Sequence, residues 1–187
     1  MQWESPREEC GVFGIYAPGE DVARLTFFGL YALQHRGQES AGIATSDGQQ
    51  LYLHTRMGLV NTAFTEDDLQ RLPGHIAIGH TRYSTTGSSV PVNAGPFLVR
   101  EGIEPVAVAH NGNLVNSEQL RQELLAEGIP LAGTTDTEAL TWVLALTPGL
   151  DLATRIRRAM TRFLGAYSLA ILTPGALAAV RDPLGIR

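Results

Sequence analysis

The chain has 187 residues and no lysine; all 14 of its basic residues are arginine. That absence removes the lysine of a phosphate-binding loop, a pyridoxal Schiff base and a kinase-type catalytic lysine. There is one cysteine, Cys10. A single thiol excludes an internal disulfide, a Cys₄ or Cys₂His₂ zinc site and an iron–sulfur cluster held by this chain alone. Long apolar runs are lacking too. Stretches such as residues 169–172 and 176–180 fall far short of the about 20 residues that a membrane-spanning helix needs. Positive charge is scarce: 14 Lys and Arg against 19 Asp and Glu give a net charge of −5. With no long basic block, neither nucleic acid nor a membrane is expected as a partner. Residues 1–9 are polar and acidic, unlike a secretion signal. The expected compartment is the cytoplasm, whose reducing conditions preserve a free thiol.

What is present fits one domain of ordinary size. A chain this long buries roughly 70% of the surface its unfolded form exposes, so its core needs no staples. Residues 10–16 read as a short buried strand closed by Ala17-Pro18-Gly19. Val22, Leu25, Phe28 and Ala32 have near-helical spacing within 22–34. Segments 41–45 and 50–54 read as hairpin strands around Ser46-Asp47-Gly48. A short helix is expected at 66–71 and a strand at 75–81. Residues 83–95, rich in Ser, Thr, Gly and Pro, read as a loop. Strands follow at 96–100 and 105–110, then helices at 117–127, 137–146 and 152–163. Asn116 and Thr135 read as N-caps, Thr135 with Glu138 three residues on. A hairpin at 167–172 and 177–180 closes the chain. The order of strands, helices and strands predicts an α+β layered domain. The last stretch, Asp182-Pro-Leu-Gly-Ile-Arg187, reads as a boundary into further protein.

Four places offer chemistry, each with a plainer reading beside it. Cys10 fits a buried structural thiol. It also fits a nucleophile exposed by removal of residues 1–9. Its own α-amine, with a pKa of roughly 7.7–8.0, would then accept the thiol proton. Arg82, at a strand end, is either a solvated terminus or a bidentate hold on a carboxylate. Asn111-Gly112 is a strong hairpin-turn signal. The alternative is an oxyanion hole built from the Asn111 amide and the Gly112 N–H. Asp136 is either a helix-start residue favoured by the dipole or a grip on an ammonium group. Together Arg82 and Asp136 would hold both ends of a free amino acid. The five histidines have no tight metal-ligand spacing, so no metal site is expected. Arg155, Arg157, Arg158 and Arg162 share one predicted helix and read as a solvated face or a contact with a neighbouring domain.

The segments Cys10-Gly-Val-Phe-Gly-Ile15, His80-Thr-Arg-Tyr83, His110-Asn-Gly-Asn-Leu114 and Thr135-Asp-Thr-Glu138, in that order, resemble the class II glutamine amidotransferases. These are N-terminal-nucleophile hydrolases. Within them, Ala32-Leu-Gln-His-Arg-Gly-Gln-Glu-Ser-Ala-Gly-Ile43 and the closing Arg181-Asp-Pro-Leu-Gly-Ile-Arg187 are similar to the amidophosphoribosyltransferase branch. The resemblance implies a four-layer αββα sandwich with two antiparallel sheets between helical layers. It implies a propeptide at 1–9 and a glutaminase domain at 10–187. Cys10 would be the nucleophile, and Asn111 and Gly112 the oxyanion hole. Arg82 would hold the glutamine α-carboxylate and Asp136 its α-ammonium. Thr85 would contact substrate, and Arg36 would support the surroundings of Cys10.

Members of that branch continue into a phosphoribosyltransferase domain that binds phosphoribosyl pyrophosphate and Mg²⁺; that domain is not expected within these 187 residues. Glu8-Glu9 before Cys10 resembles the propeptide of those whose second half carries an iron–sulfur cluster. No cofactor is expected in this chain. The expected activity is hydrolysis of glutamine to glutamate and ammonia through a cysteine thioester. The ammonia would go to phosphoribosyl pyrophosphate, giving 5-phosphoribosylamine in the first step of de novo purine synthesis. A homo-oligomer is expected at full length. Two alternatives stand beside this: a class II amidotransferase serving another acceptor, and an unprocessed glutamine-binding module without catalysis.

Overall fold

The structure, a computed structural model, describes residues 10–83 and 88–187. Its strands are β1 (Gly11–Tyr16), β2 (Ser40–Ser46), β3 (Leu51–Met57), β4 (Ile76–Arg82), β5 (Phe97–Val99), β6 (Val106–Leu114), β7 (Gly165–Thr173) and β8 (Ala176–Arg181). The helices are α1 (Val22–Ala32), α2 (Val60–Ala63), α3 (Glu66–Gln70), α4 (Ser117–Ala126), α5 (Asp136–Leu146) and α6 (Leu152–Met160). Single 3₁₀ turns follow α1 (Gln34–Arg36) and precede β5 (Pro91–Asn93).

The strands form two antiparallel sheets, β1-β4-β2-β3 and β5-β6-β7-β8. Side-chain alternation explains the layering. On one face of the first sheet, Ala41 and Ile43 pack with Ala23 and Leu30 of α1 and with Val60 and Leu69. Its other face sends Ala44, Ile76 and Ile78 against Ala107, Ala109, Ala170 and Leu172 of the second sheet. Four alanines at that interface let the sheets lie close. The outer face of the second sheet, including Val106, Val108 and Ile171, packs under α4, α5 and α6. The result is the expected αββα sandwich. Both central strands of the first sheet, β2 and β4, are buried along their whole length.

Helix starts follow capping chemistry. Asp21 accepts from the Arg24 N–H at 2.9 Å and Asp151 from the Thr154 N–H at 2.6 Å. Thr65 and Asp68 form a reciprocal capping box. Thr135 caps α5 through the Glu138 N–H at 3.3 Å, but the Glu138 carboxylate turns to the Ala132 and Gly133 N–H groups instead. Asn116 holds the N-cap position of α4, but its side chain makes no capping bond. Its amide bridges to the Arg162 carbonyl and the Leu164 N–H.

Two expectations are corrected. The strand expected at 105–110 runs on to Leu114, because Asn111 and Gly112 pair with Ser168 and Tyr167 of β7. No turn forms at Asn111-Gly112. Arg155 is not on a solvated face: it is 2% exposed, ion-paired with Glu104 and bonded through Nη2 to the Leu144 carbonyl at 3.2 Å. Arg157 and Arg158 of the same helix are exposed.

Candidate active site

A cleft opens where the two sheets meet. Cys10, Arg82, Gly112 and Asp136 all line it. They arrive from separate elements. Cys10 directly precedes β1, and Arg82 ends β4, the strand paired with β1. Gly112 lies in β6, and Asp136 opens α5.

Cys10 is half-buried and free. Its Sγ lies 3.4 Å from both the N and the carbonyl O of Tyr83. Arg36 donates from Nε to the Cys10 carbonyl at 3.3 Å. Thr81 accepts the Gly11 N–H at 3.2 Å. A Cβ at residue 11 would stand 2.5 Å from that Thr81 hydroxyl, so glycine next to the cysteine lets β1 approach β4. Burial pushes the Cys10 thiol above its ordinary value of 9.0, and the Asp136 charge adds to the rise. The Tyr83 backbone and the Arg82 charge oppose it without cancelling it. With its nitrogen in a peptide bond, this thiol is protonated at neutral pH.

Arg82 is 4% exposed, which removes the solvated-terminus reading. Its Nη1 donates to the Ser88 carbonyl at 3.0 Å and lies 3.7 Å from Glu39. Asp136 is 5% exposed. Its Oδ2 accepts the Leu114 N–H at 3.0 Å, and its Oδ1 is 3.6 Å from His110 Nδ1. Burial works to raise the Asp136 carboxyl. The His110 ring and the Leu114 and Thr137 backbone outweigh burial and hold it below the usual aspartate value. It is therefore an anion at neutral pH.

Gly112 has φ of +151°, and a Cβ there would sit 2.2 Å from the Ala166 carbonyl oxygen of β7. Conformation and space both demand glycine at this point. Asn111 is half-buried and is not among the residues lining the cleft. By alternation it continues the row of Ala107 and Ala109, which face the first sheet. Thr85 lies outside the described residues, as do residues 1–9.

The cleft also contains side chains that the residue patterns did not single out: His80, Asn93, Phe97, Val108, His110 and Thr137. A period of two would have found some of them, since His80 shares a face with Arg82, and Val108 and His110 with Gly112. His80 Nε2 lies 3.0 Å from the His110 carbonyl, joining the two sheets. Burial lowers His80 to about 4, so it is neutral at pH 7. His110 Nδ1 lies 3.0 Å from the Thr137 hydroxyl. Among the described residues, no group of three or more His, Cys, Asp or Glu is placed to hold a metal ion. Among them, too, no helix is long and apolar enough to cross a membrane.

Compared with known families, residues 80–187 match the glutamine amidotransferase domain. The chain belongs to this family. Among relatives of this glutamine amidotransferase domain, the amidophosphoribosyltransferase of Synechococcus elongatus is 55% identical over 186 residues, covering 98% of this chain and 38% of that protein. The mouse amidophosphoribosyltransferase (Mus musculus) is 47% identical, with 97% of this chain and 38% of the relative covered. The chain thus spans about 38% of the length of these relatives. Among solved structures, a glutamine phosphoribosylpyrophosphate amidotransferase from B. subtilis, complexed with ADP and GMP, superposes with a TM-score of 0.84 at 38% identity. It covers 94% of this chain and 38% of the other. A structure described as an allosteric regulatory enzyme of purine biosynthesis gives 0.86 with the same coverage.

Proposed function

We propose that this glutamine amidotransferase domain is the glutaminase half of an amidophosphoribosyltransferase. One observation carries the reading: a sulfur, a guanidinium and a carboxylate, Cys10, Arg82 and Asp136, line one cleft. A free α-amino acid offers a carboxylate for the arginine and an ammonium for the aspartate. Its side-chain amide is then left for the thiol.

In this mechanism residues 1–9 are a propeptide, and its removal turns the Cys10 nitrogen into an amine. That amine takes the thiol proton, which burial would otherwise retain. The thiolate attacks the glutamine side-chain carbonyl carbon. The Asn111 amide and the Gly112 N–H stabilise the resulting oxyanion. The α-ammonium of Cys10 returns its proton to the leaving nitrogen, ammonia departs and a γ-glutamyl thioester remains. Water cleaves the thioester, releasing glutamate and restoring the thiol. Arg36 fixes the Cys10 carbonyl during these steps. Thr85 adds a substrate contact.

The ammonia passes to a phosphoribosyltransferase partner, forming 5-phosphoribosylamine from phosphoribosyl pyrophosphate in the first step of purine synthesis. Mg²⁺ and any iron–sulfur cluster belong to that partner. A cytoplasmic location and a homo-oligomer at full length complete the reading. The test is glutamine hydrolysis by the chain beginning at Cys10, beside a Cys10→Ala control. Equal amounts of glutamate and ammonia are expected from the former only. No release from either overturns the activity. Active material whose intact mass still includes Met1 overturns the role of the amine.

A further inference from the structure

We propose that Asn93 is a positioning residue that sets the spacing between Arg82 and Asp136. The inference rests on the glutamine reading above. An α-amino acid carries its carboxylate and ammonium on one carbon, so a site that reads both needs its two charges at a fixed separation. Arg82 ends a strand of the first sheet, and Asp136 starts a helix packed on the second. Asn93 lies on the connection between the sheets, in the turn before β5.

Asn93 is 1% exposed and lines the cleft. Its amide uses donors and acceptor in two directions. Toward the arginine, Nδ2 donates to the Ser88 carbonyl at 2.8 Å, the oxygen that also accepts from Arg82 Nη1 at 3.0 Å. Toward the aspartate, Nδ2 donates to the Thr134 hydroxyl at 3.0 Å and Oδ1 accepts the Thr134 N–H at 2.9 Å. Thr134 immediately precedes Thr135, the cap of the helix that Asp136 opens. Packing closes the arrangement: a Cβ at residue 133 would lie 2.6 Å from Asn93 Oδ1. On the far side, Glu138 accepts the Gly133 N–H and pairs with Arg121, so the 132–134 segment is held from both flanks. A buried amide bonded this way is costly to truncate, since its partners lose their bonds without gaining water.

The test reads alkylation of Cys10, the single thiol, by neutral iodoacetamide, with L-glutamate as protecting ligand. The unprotected rate reports the thiol and the fold around it. The half-protecting concentration reports recognition of the α-groups. In Asn93→Ala the half-protecting glutamate concentration is expected to rise about 10-fold, the cost of one to two buried hydrogen bonds. The unprotected rate stays within about two-fold, because the thiol's own contacts are untouched. Asn93→Asp keeps the acceptor facing Thr134 and loses the donor to Ser88, and should show the same selective loss. Unchanged protection in both variants overturns the proposal. So does a change in unprotected rate that matches the loss of protection, since Asn93 would then only maintain the fold. If L-glutamate fails to protect the unaltered chain, the amino-acid reading itself falls and takes this inference with it.

Discussion

The first sheet, β1-β4-β2-β3, and the second, β5-β6-β7-β8, are both four-stranded and antiparallel, but their geometry is secured differently. Cys10 and Arg82 sit at adjoining ends of β1 and β4. The β1–β4 register places them side by side, and the Gly11 N–H donates to the Thr81 hydroxyl. Gly112 and Asp136 are likewise tied inside the second half, where Leu114 at the end of β6 donates to Asp136. Between the halves, the site relies on side chains such as His80 and Asn93. Chemistry within a sheet is therefore set by backbone, and chemistry across the sheets by a few buried polar groups.

That contrast is open to breaking. The largest effect is expected from Cys10→Ala, which should lower glutamine turnover by at least about 10³-fold while leaving the fold intact; a melting temperature and a glutaminase assay check both parts. Next is the inter-sheet link. His80 has a folded value of about 4, below its ordinary 6.5. The unfolded chain takes up the proton first as pH falls. The His80 contribution to stability is complete above pH 6.5 and drains away between 6.5 and 4, by about 3 kcal/mol. Urea unfolding across that window should show the slope, and His80→Gln should flatten it. Asn111→Ala should cost about 100-fold in turnover as an oxyanion donor; wild-type turnover would remove it from the mechanism. Arg82→Lys should raise KM for glutamine about 10-fold with kcat nearly unchanged, because a point charge does not reproduce the guanidinium fork. At the small end, exposed Arg157→Ala should stay within about 0.5 kcal/mol of the parent in urea unfolding.

Much of the fold was readable because local signals agreed with the tertiary outcome. A polar cap before apolar periodicity marked α5, and Gly and Pro clusters marked the turns. The lining of the candidate cleft was readable where a reactive residue type sits at an element's edge, as Cys10, Arg82 and Asp136 do. Failures came where a distant partner decided the matter. Asn111-Gly112 has turn chemistry, but β7, more than fifty residues later, offers a strand to pair with. Arg155 belongs to a charged helix, yet Glu104 lies 51 residues away. Asn93 sits in a polar loop, and its role depends on Thr134, 41 residues on. No local window contains those partners.

The two anchors on Cys10, Arg36 on its carbonyl and Tyr83 at its sulfur, have a spectroscopic consequence when combined with the lysine-free composition. A chain starting at Cys10 would carry a single primary amine, held in place at the cleft. Reductive methylation with ¹³C-formaldehyde would then yield one resonance, a titratable reporter of that nitrogen with no background to subtract.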